Sequence, residues 1–308
     1  GDVARNVTGC PLAGIAADEL VDASPLALGI ARMLTGNPEF YNLPRKFKVS
    51  IAGCPNWCCY PEINEVGLTA VQRKSGSGVE TGYSIRVGGG LSSQPHLGVR
   101  LNAFLYPDQV LPAVHAVTSI FRDQEVLREN RTRARMKFLF LREGWTAERF
   151  LAEIEARLGY SLEPSAEEHA PDDILRDHVG VHRQKQEGLS FVGASVLRGR
   201  VSGDQLKAVA ELSEKFGTGD IRTTVMQNLL LLNIPNSRTK ELTKELEDIG
   251  FRVEGSNFWR GTIACTGTEF CKLAITETKS FARWLVDDLE LRIPEFDQQI
   301  KLNVTGCT

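Results

Sequence analysis

Arg260-Gly-Thr-Ile-Ala-Cys265-Thr-Gly-Thr-Glu-Phe-Cys271, followed by Asn303-Val-Thr-Gly-Cys307-Thr308 at the end of the 308 residues, is the stretch from which the rest can be read. Two thiols with five residues between them and a third beside a glycine suit a soft metal or an iron-sulfur cluster, because such centres select thiolates. A cubane cluster takes four thiolates and the segment holds three, so the motif reads as interrupted at Thr308. Two plainer readings compete. Cysteine is among the most buried residue types, so the three also fit ordinary core packing. Zinc matches less well, because structural zinc pairs favour two to four intervening residues.

The pattern has an earlier echo. Arg5 precedes Cys10 by five positions as Arg260 precedes Cys265, and Lys48 precedes Cys54 by six as Lys301 precedes Cys307, each through a strand-like run ending in Gly-Cys. The offsets of 255 and 253 agree within two residues, which indicates a duplicated and diverged unit. The earlier counterpart of Cys271 is Ala16, and the later counterpart of Lys46 is Gln299, so one copy keeps cations and the other keeps thiolates. In Lys46-Phe-Lys-Val-Ser-Ile-Ala52, Phe47, Val49 and Ile51 alternate with Lys46, Lys48 and Ser50. That alternation predicts a strand with both ammonium groups on one face, about 6–7 Å apart by strand rise. They repel unless an anion sits between them; a solvated strand face is the plain alternative. Cys54, Cys58 and Cys59 follow, and Cys10, Cys54 and Cys58 read as relics of a once-symmetric site, with a second metal site as the other reading.

Composition bounds the function. Thirty-six basic and 39 acidic residues give a formal charge of -3, which offers no reason to expect nucleic acid or an anionic membrane as partner. No apolar run approaches a membrane span, and no signal-peptide pattern opens the chain. Seven cysteines without an export signal favour reduced thiols or metal ligands, hence a reducing, cytoplasmic compartment. The chain opens in mid-pattern at Gly1 without an initiator methionine and stops abruptly at Thr308, so both ends read as cuts.

Helices are predicted at Pro25–Leu34, Pro107–Phe121 (Val110, Val114, Val117 and Phe121 on one face) and Ala147–Leu158 behind a Thr146 cap. Ser24 reads as the cap of the first. A strand near Tyr83–Val87 runs into Gly88-Gly-Gly90, which reads as a turn rather than a dinucleotide fingerprint, since Ser93 stands where the third glycine belongs. The basic run Arg131–Lys137 reads as a solvated helix face, with docking of an acidic partner as the lesser reading. Polar, proline-bearing residues 161–173 read as a linker. Beyond it come strand Leu189–Leu197, helix Asp204–Phe216, strands Ile221–Val225 and Leu229–Ile234, and helix Thr239–Ile249, most of a ferredoxin-like unit. His178 and His182 have no third ligand nearby in sequence and read as structural.

Taken together, Asp2-Val-Ala-Arg-Asn-Val-Thr-Gly-Cys10, Asn42-Leu-Pro-Arg-Lys-Phe-Lys48, Gly180-Val-His-Arg-Gln-Lys-Gln-Glu-Gly188, Arg222-Thr-Thr-Val-Met-Gln-Asn228 and Ala264-Cys-Thr-Gly-Thr-Glu-Phe-Cys271 resemble the ferredoxin-dependent nitrite reductases and related sulfite reductase hemoproteins. These join siroheme to a [4Fe-4S] cluster. The resemblance implies an α+β fold: a pseudo-twofold repeat of siroheme- and cluster-binding α/β units with a ferredoxin-like half-domain between them. The expected divisions are a substrate-side repeat at 1–160, the linker at 161–173, the half-domain at 174–250 and the start of a cluster-side repeat at 251–308. It implies six-electron reduction of nitrite to ammonia, or of sulfite to sulfide, fed by ferredoxin or another low-potential donor, in a monomer. By the same resemblance Cys265, Cys271 and Cys307 are cluster ligands, with a fourth beyond Thr308. Arg5, Lys46 and Lys48 are then the cations on the substrate side. Lys185 holds siroheme carboxylates, with Arg222, Gln227 and Asn228 as further candidates. Another ferredoxin-like half before Gly1 and the rest of the second repeat after Thr308 are expected, so these residues alone are expected to bind no stable cluster and not to turn over. The motifs around Lys185 and Cys265 lean to nitrite, whereas Lys48 leans to sulfite; nitrite is preferred. A non-catalytic iron-sulfur or zinc regulatory module is the alternative from another class, and it leaves Arg5, Lys46 and Lys48 unexplained.

Overall fold

The computed structural model describes residues 2–76 and 78–307, and they fall into two compact units. The first comprises the residues up to Gly14 together with Asp18–Pro171, and the second comprises Ile15–Ala17 and the chain from Asp172 onward.

The first unit contains β1 (Ala4–Gly9), α1 (Ser24–Leu34), β2 (Phe47–Ala52), β3 (Val66–Ser75), β4 (Gly78–Val87), β5 (Val99–Leu105), α2 (Pro107–Arg122), the short α3 (Lys137–Leu141) and α4 (Ala147–Leu158). Its strands form one sheet in the order β1-β2-β3-β4-β5, parallel across the first three and antiparallel thereafter. The period-2 reading of β2 holds: Phe47, Val49 and Ile51 are fully buried against Ile30 of α1 and Val114 and Phe121 of α2. The other face carries Lys48 and Ser50, with Lys46 one residue ahead of the strand. Truncating Phe47 to alanine is expected to cost about 3–5 kcal/mol, because a well-packed site relaxes only partly around the void.

Helix α4 matches its predicted bounds, with the Thr146 hydroxyl accepting the Arg149 N–H at 3.2 Å and Gly159 closing it at φ 78°. Ser24 does not cap α1: the cap position is Ala23, with no side-chain bond, and Ser24 lies inside the first turn. The stretch after α4 runs beside β5, where the Phe104 N–H donates to the Glu163 carbonyl at 2.7 Å and Glu168 pairs with Arg86 and Arg100.

The second unit contains β6 (Gly180–Arg183), β7 (Leu189–Ala194), α5 (Gly203–Phe216), β8 (Ile221–Thr223), β9 (Leu229–Pro235), α6 (Thr239–Asp248), α7 (Asn257–Gly261), β10 (Thr262–Ala264), α8 (Lys279–Arg292) and β11 (Leu302–Val304). From β7 to α6 the order is the β-α-β-β-α expected. The sheet is antiparallel, in the order β6-β7-β9-β8, and its core joins Val192, Leu212, Phe216, Leu231, Leu242 and Leu246. Ser202 and Gln205 close a reciprocal capping box at the start of α5, each side chain accepting the other's backbone N–H at 3.1 Å. His182 stacks on Phe191 with ring centroids 4.9 Å apart and bonds the Val179 carbonyl at 2.9 Å, the structural role expected of it.

The duplication is visible in the pairing. Parallel β1 and β2 align Val7 with Val49, Thr8 with Ser50 and Gly9 with Ile51; parallel β10 and β11 align Thr262 with Leu302, Ile263 with Asn303 and Ala264 with Val304. Adding 255 to the first member and 253 to the second converts each pair of the first set into one of the second. Helices α1 and α8, which make the two crossovers, begin at Ser24 and Lys279, again 255 apart. Each copy is therefore a β-α-β unit in which both strand ends point the same way.

Candidate functional site

At the start of β1 and β2 the chain gathers cations. The β1–β2 pairing slips between Ala4 and Asn6, which leaves Arg5 at the irregularity, exposed, beside Phe47 and Lys48. Burial lowers the Lys46 pKa first, and the charges of Arg135, Lys48 and Arg5 lower it further. Lys48 is likewise lowered chiefly by burial; Arg135 and Arg5 add to this, while Glu65 opposes it. The structure thus brings Arg5, Lys46 and Lys48 within electrostatic reach of one another and adds Arg135. Such a cluster draws in a small anion, and ammonium groups held below their ordinary pKa give up protons more readily.

Arg135 corrects the reading of Arg131–Lys137 as a solvated face. Arg131, Thr132 and Arg133 are exposed, but Arg135 and Lys137 are buried. The Arg135 guanidinium donates to fully buried Glu65, whose second carboxylate oxygen accepts the Lys48 backbone N–H at 3.0 Å. Burial raises the Glu65 pKa, with Arg135 and Lys48 pulling against it. Lys137 Nζ donates to the carbonyls of Leu91, at 2.8 Å, and Gln94. The glycine triplet makes room: a Cβ on Gly90 would stand 2.5 Å from the Arg135 guanidinium, so close approach, not nucleotide binding, calls for glycine there. Lys46, Arg131, Arg135 and Lys137 line a cavity of about 120 Å³ with Ser92 and Ser93. The signal for Arg135 lay in the basic run, but its partner is 70 positions away, so nothing local marked it as buried.

At the end of β10 and β11 lie the thiols. Cys265 Sγ accepts backbone N–H groups from Gly267 and Gly306, each at 3.3 Å. Burial acts to raise its pKa, but these two bonds, the Thr278 hydroxyl and the Lys279 charge together hold it below the ordinary thiol value. A Cβ on Gly306 would meet the Thr276 carbonyl at 2.8 Å, so glycine lets the Cys307 loop lie against the 265–276 loop. Cys271 is on that same loop, half-buried, its N–H on the Gly267 carbonyl at 3.0 Å. Buried Lys279, which the sequence reading did not single out, donates to the Ala264 carbonyl at 2.8 Å directly behind Cys265. A lysine in the first turn of a helix reads as solvated, so no sequence signal marked it.

The four residues expected around a tetrapyrrole sit at three places in the second unit. Gln227 and Asn228 occupy the β8–β9 turn: Gln227 Nε2 donates to the Ala264 carbonyl at 3.1 Å, and Asn228 Oδ1 accepts the Val196 N–H at 3.0 Å. Lys185 follows β6 and Arg222 lies on β8, the two opposite edges of the four-stranded sheet.

Residues 1–162 match the family described as nitrite and sulphite reductase 4Fe-4S domain, and residues 182–249 match the nitrite/sulfite reductase ferredoxin-like half domain. The chain belongs to the nitrite and sulfite reductase family, and that membership implies siroheme and a [4Fe-4S] cluster. Across its whole length it is 35% identical to an assimilatory ferredoxin-dependent nitrite reductase of Haloferax mediterranei and 38% identical to a ferredoxin sulfite reductase of Mycolicibacterium paratuberculosis, covering 54% of each. The solved structure of Mycobacterium tuberculosis NirA superposes with a TM-score of 0.91 at 37% identity, over 100% of this chain and 55% of that one. The chain therefore spans about half the length of the relatives it matches.

The residues present fit such groups in part. Cys265, with two N–H donors aimed at its sulfur, suits a cluster-bound thiolate. Asn228 Nδ2 is buried without a partner among the described residues and is the kind of donor a carboxylate satisfies. Gln227 Oε1 is similarly orphaned, but as an acceptor it does not serve an ionised carboxylate.

Proposed function

We propose that the protein containing this chain reduces nitrite to ammonia, in a reducing, cytoplasmic setting and as a monomer, with ferredoxin or another low-potential carrier as donor. The observation that supports it best is the convergence of Arg5, Lys46 and Lys48 with Arg135 at one end of the β1–β2 pair. Nitrite takes six electrons and eight protons to give ammonium and two waters, so a site needs positive charge to concentrate the anion and acidic donors for each departing oxygen. Arg5 supplies permanent charge, while Lys46 and Lys48, lowered in pKa, supply charge and protons. Arg135, tied to Glu65, fixes the field behind them.

When bound, siroheme and the cluster would supply the redox chemistry, an iron site for the anion and a source of single electrons. Cys265, Cys271 and Cys307 are proposed as cluster ligands, and Lys185, Arg222 and Asn228 as partners of siroheme carboxylates, Gln227 serving to hold the loop at Ala264. With three such thiolates, these 308 residues alone are expected to hold no stable cluster; about four irons per chain in the purified stretch would contradict that.

Reduction of sulfite to sulfide is the second reading, favoured by the 38% identity to a sulfite reductase and by Lys48. Steady-state rates of the full-length enzyme with each anion and reduced ferredoxin decide between them. A kcat/KM for sulfite well above that for nitrite sinks the first reading, and absence of siroheme absorbance sinks both.

A further inference from the structure

Lys279 opens the 14-residue helix α8, the end at which a helix disfavours positive charge, and yet its side chain is buried, at 9% exposure. Lysine is seldom buried without an anionic partner. Its Nζ donates to the carbonyls of Ala264, at 2.8 Å, and Arg198, and among the described residues no carboxylate forms an ion pair with it. Of the charged groups within its electrostatic reach, Arg200 and Glu269 pair with each other and Arg198 donates to the Lys279 carbonyl at 3.1 Å, which leaves the Cys265 sulfur as its anion. Thr278, fully buried, donates its hydroxyl to the Cys265 carbonyl at 2.7 Å, so two successive side chains hold two successive carbonyls at that thiol. Hydrogen bonding alone does not call for an ammonium there, because the neutral Gln227 amide already donates to the Ala264 carbonyl at 3.1 Å. The first copy sharpens the point. Its helix α1 begins at Ser24, 255 positions before Lys279, with Ala23 where Thr278 stands, and the matched Cys10 is buried. The buried cation therefore occurs in the copy whose thiol is exposed.

We propose that Lys279 is a positioning residue that sets the reduction potential of the iron-sulfur centre, its buried charge behind Cys265 making that centre easier to reduce. The proposal rests on the reading of Cys265 as a cluster ligand. An added electron increases the negative charge of a centre that thiolates already make anionic, and net charge, hydrogen bonds to sulfur and exposure are what shift such potentials. A cation held away from water acts on that charge more strongly than a solvated one. The step it serves is the passage of one electron from the low-potential carrier to the centre: the carrier is oxidised, the centre is reduced, and no bond forms or breaks. Lys279 is no ligand and touches no substrate; it acts through Cys265.

The test is a redox titration of the full-length holoenzyme, followed by the paramagnetic signal of the reduced cluster, in Lys279→Met, Lys279→Gln and Lys279→Arg. Glutamine keeps an N–H donor for the two carbonyls and removes the charge, whereas arginine keeps the charge. At a fixed potential, Lys279→Met and Lys279→Gln are expected to move the cluster about tenfold or more toward its oxidised form, about 59 mV to lower potential for one electron, with Lys279→Arg within about threefold of the native enzyme. If the two neutral variants do not load cluster iron, loading in Lys279→Arg alone supports the role of the charge. A native potential in Lys279→Gln, a Lys279→Arg shift as large as that of Lys279→Met, or loss of iron from all three overturns the proposal. Cluster iron and siroheme absorbance in the native enzyme separate the two levels: with both present, an unmoved potential sinks the role of Lys279 alone, and with neither present the reductase reading falls first.

Discussion

The pair β1–β2 and the pair β10–β11 share register, crossover and strand direction, yet equivalent positions carry different chemistry. Arg5 is exposed and contributes to a cluster of cations, whereas Arg260 makes two 2.9 Å bonds to buried Asp177 and is committed to an ion pair that raises its pKa. Lys48 is lowered by burial but opposed by Glu65, whereas Lys301 has burial as its single cause and drops to about 8. Cys10 is buried and its counterpart Cys265 is exposed. Backbone register is therefore kept by alternation and pairing, while the task of each side chain is set by what the neighbouring loops bring to it.

The comparison breaks most visibly at matched cysteines. Replacing Cys265 by serine in the full-length enzyme is expected to remove cluster iron and lower activity more than a thousandfold, whereas Cys10→Ser leaves iron unchanged; iron content beside turnover reads both. Next come the lysines. Lys48→Met is expected to lower kcat/KM by about 10²-fold or more through lost charge and proton donation. Because both Lys46 and Lys48 are lowered, kcat/KM should fall on the alkaline side at a pH below the ordinary lysine value of about 10.4. A pH-rate profile with no such limb would count against their role.

Arg135→Met strands Glu65 in the core and is expected to cost about 3–5 kcal/mol in denaturant unfolding, with E65Q/R135M recovering part of it. The smallest effect is at Lys301. Its folded pKa of about 8 lies below its unfolded value, so the penalty is full below pH 8 and fades as pH rises toward the unfolded pKa. The stability of the native protein relative to Lys301→Met should accordingly rise between pH 7 and pH 10, as read from unfolding midpoints.

Much of this architecture was legible because its signals are local. The alternation around Phe47, the Thr146 cap, the strand-helix order from Leu189 and the paired Arg-Cys and Lys-Cys spacings all fall within short windows. What was not legible depends on distant partners. β3 is buried on both faces over Val66–Val71, so it shows no alternation. Arg135 reads as one of four basic residues until Glu65 and Gly90 are placed against it. Lys185 and Arg222 come from separate motifs, and their places after β6 and on β8 depend on the strand order β6-β7-β9-β8, which no short window of sequence discloses.

In the β1–β2 pair the cations stand at the start of the strands and the thiols follow their ends, about 16–20 Å away by strand rise. Selection acting at one extremity leaves the other largely undisturbed, since paired backbone insulates them. A doubled gene would then inherit four separately adjustable seats, and losing the duty of one would not oblige the loss of any other.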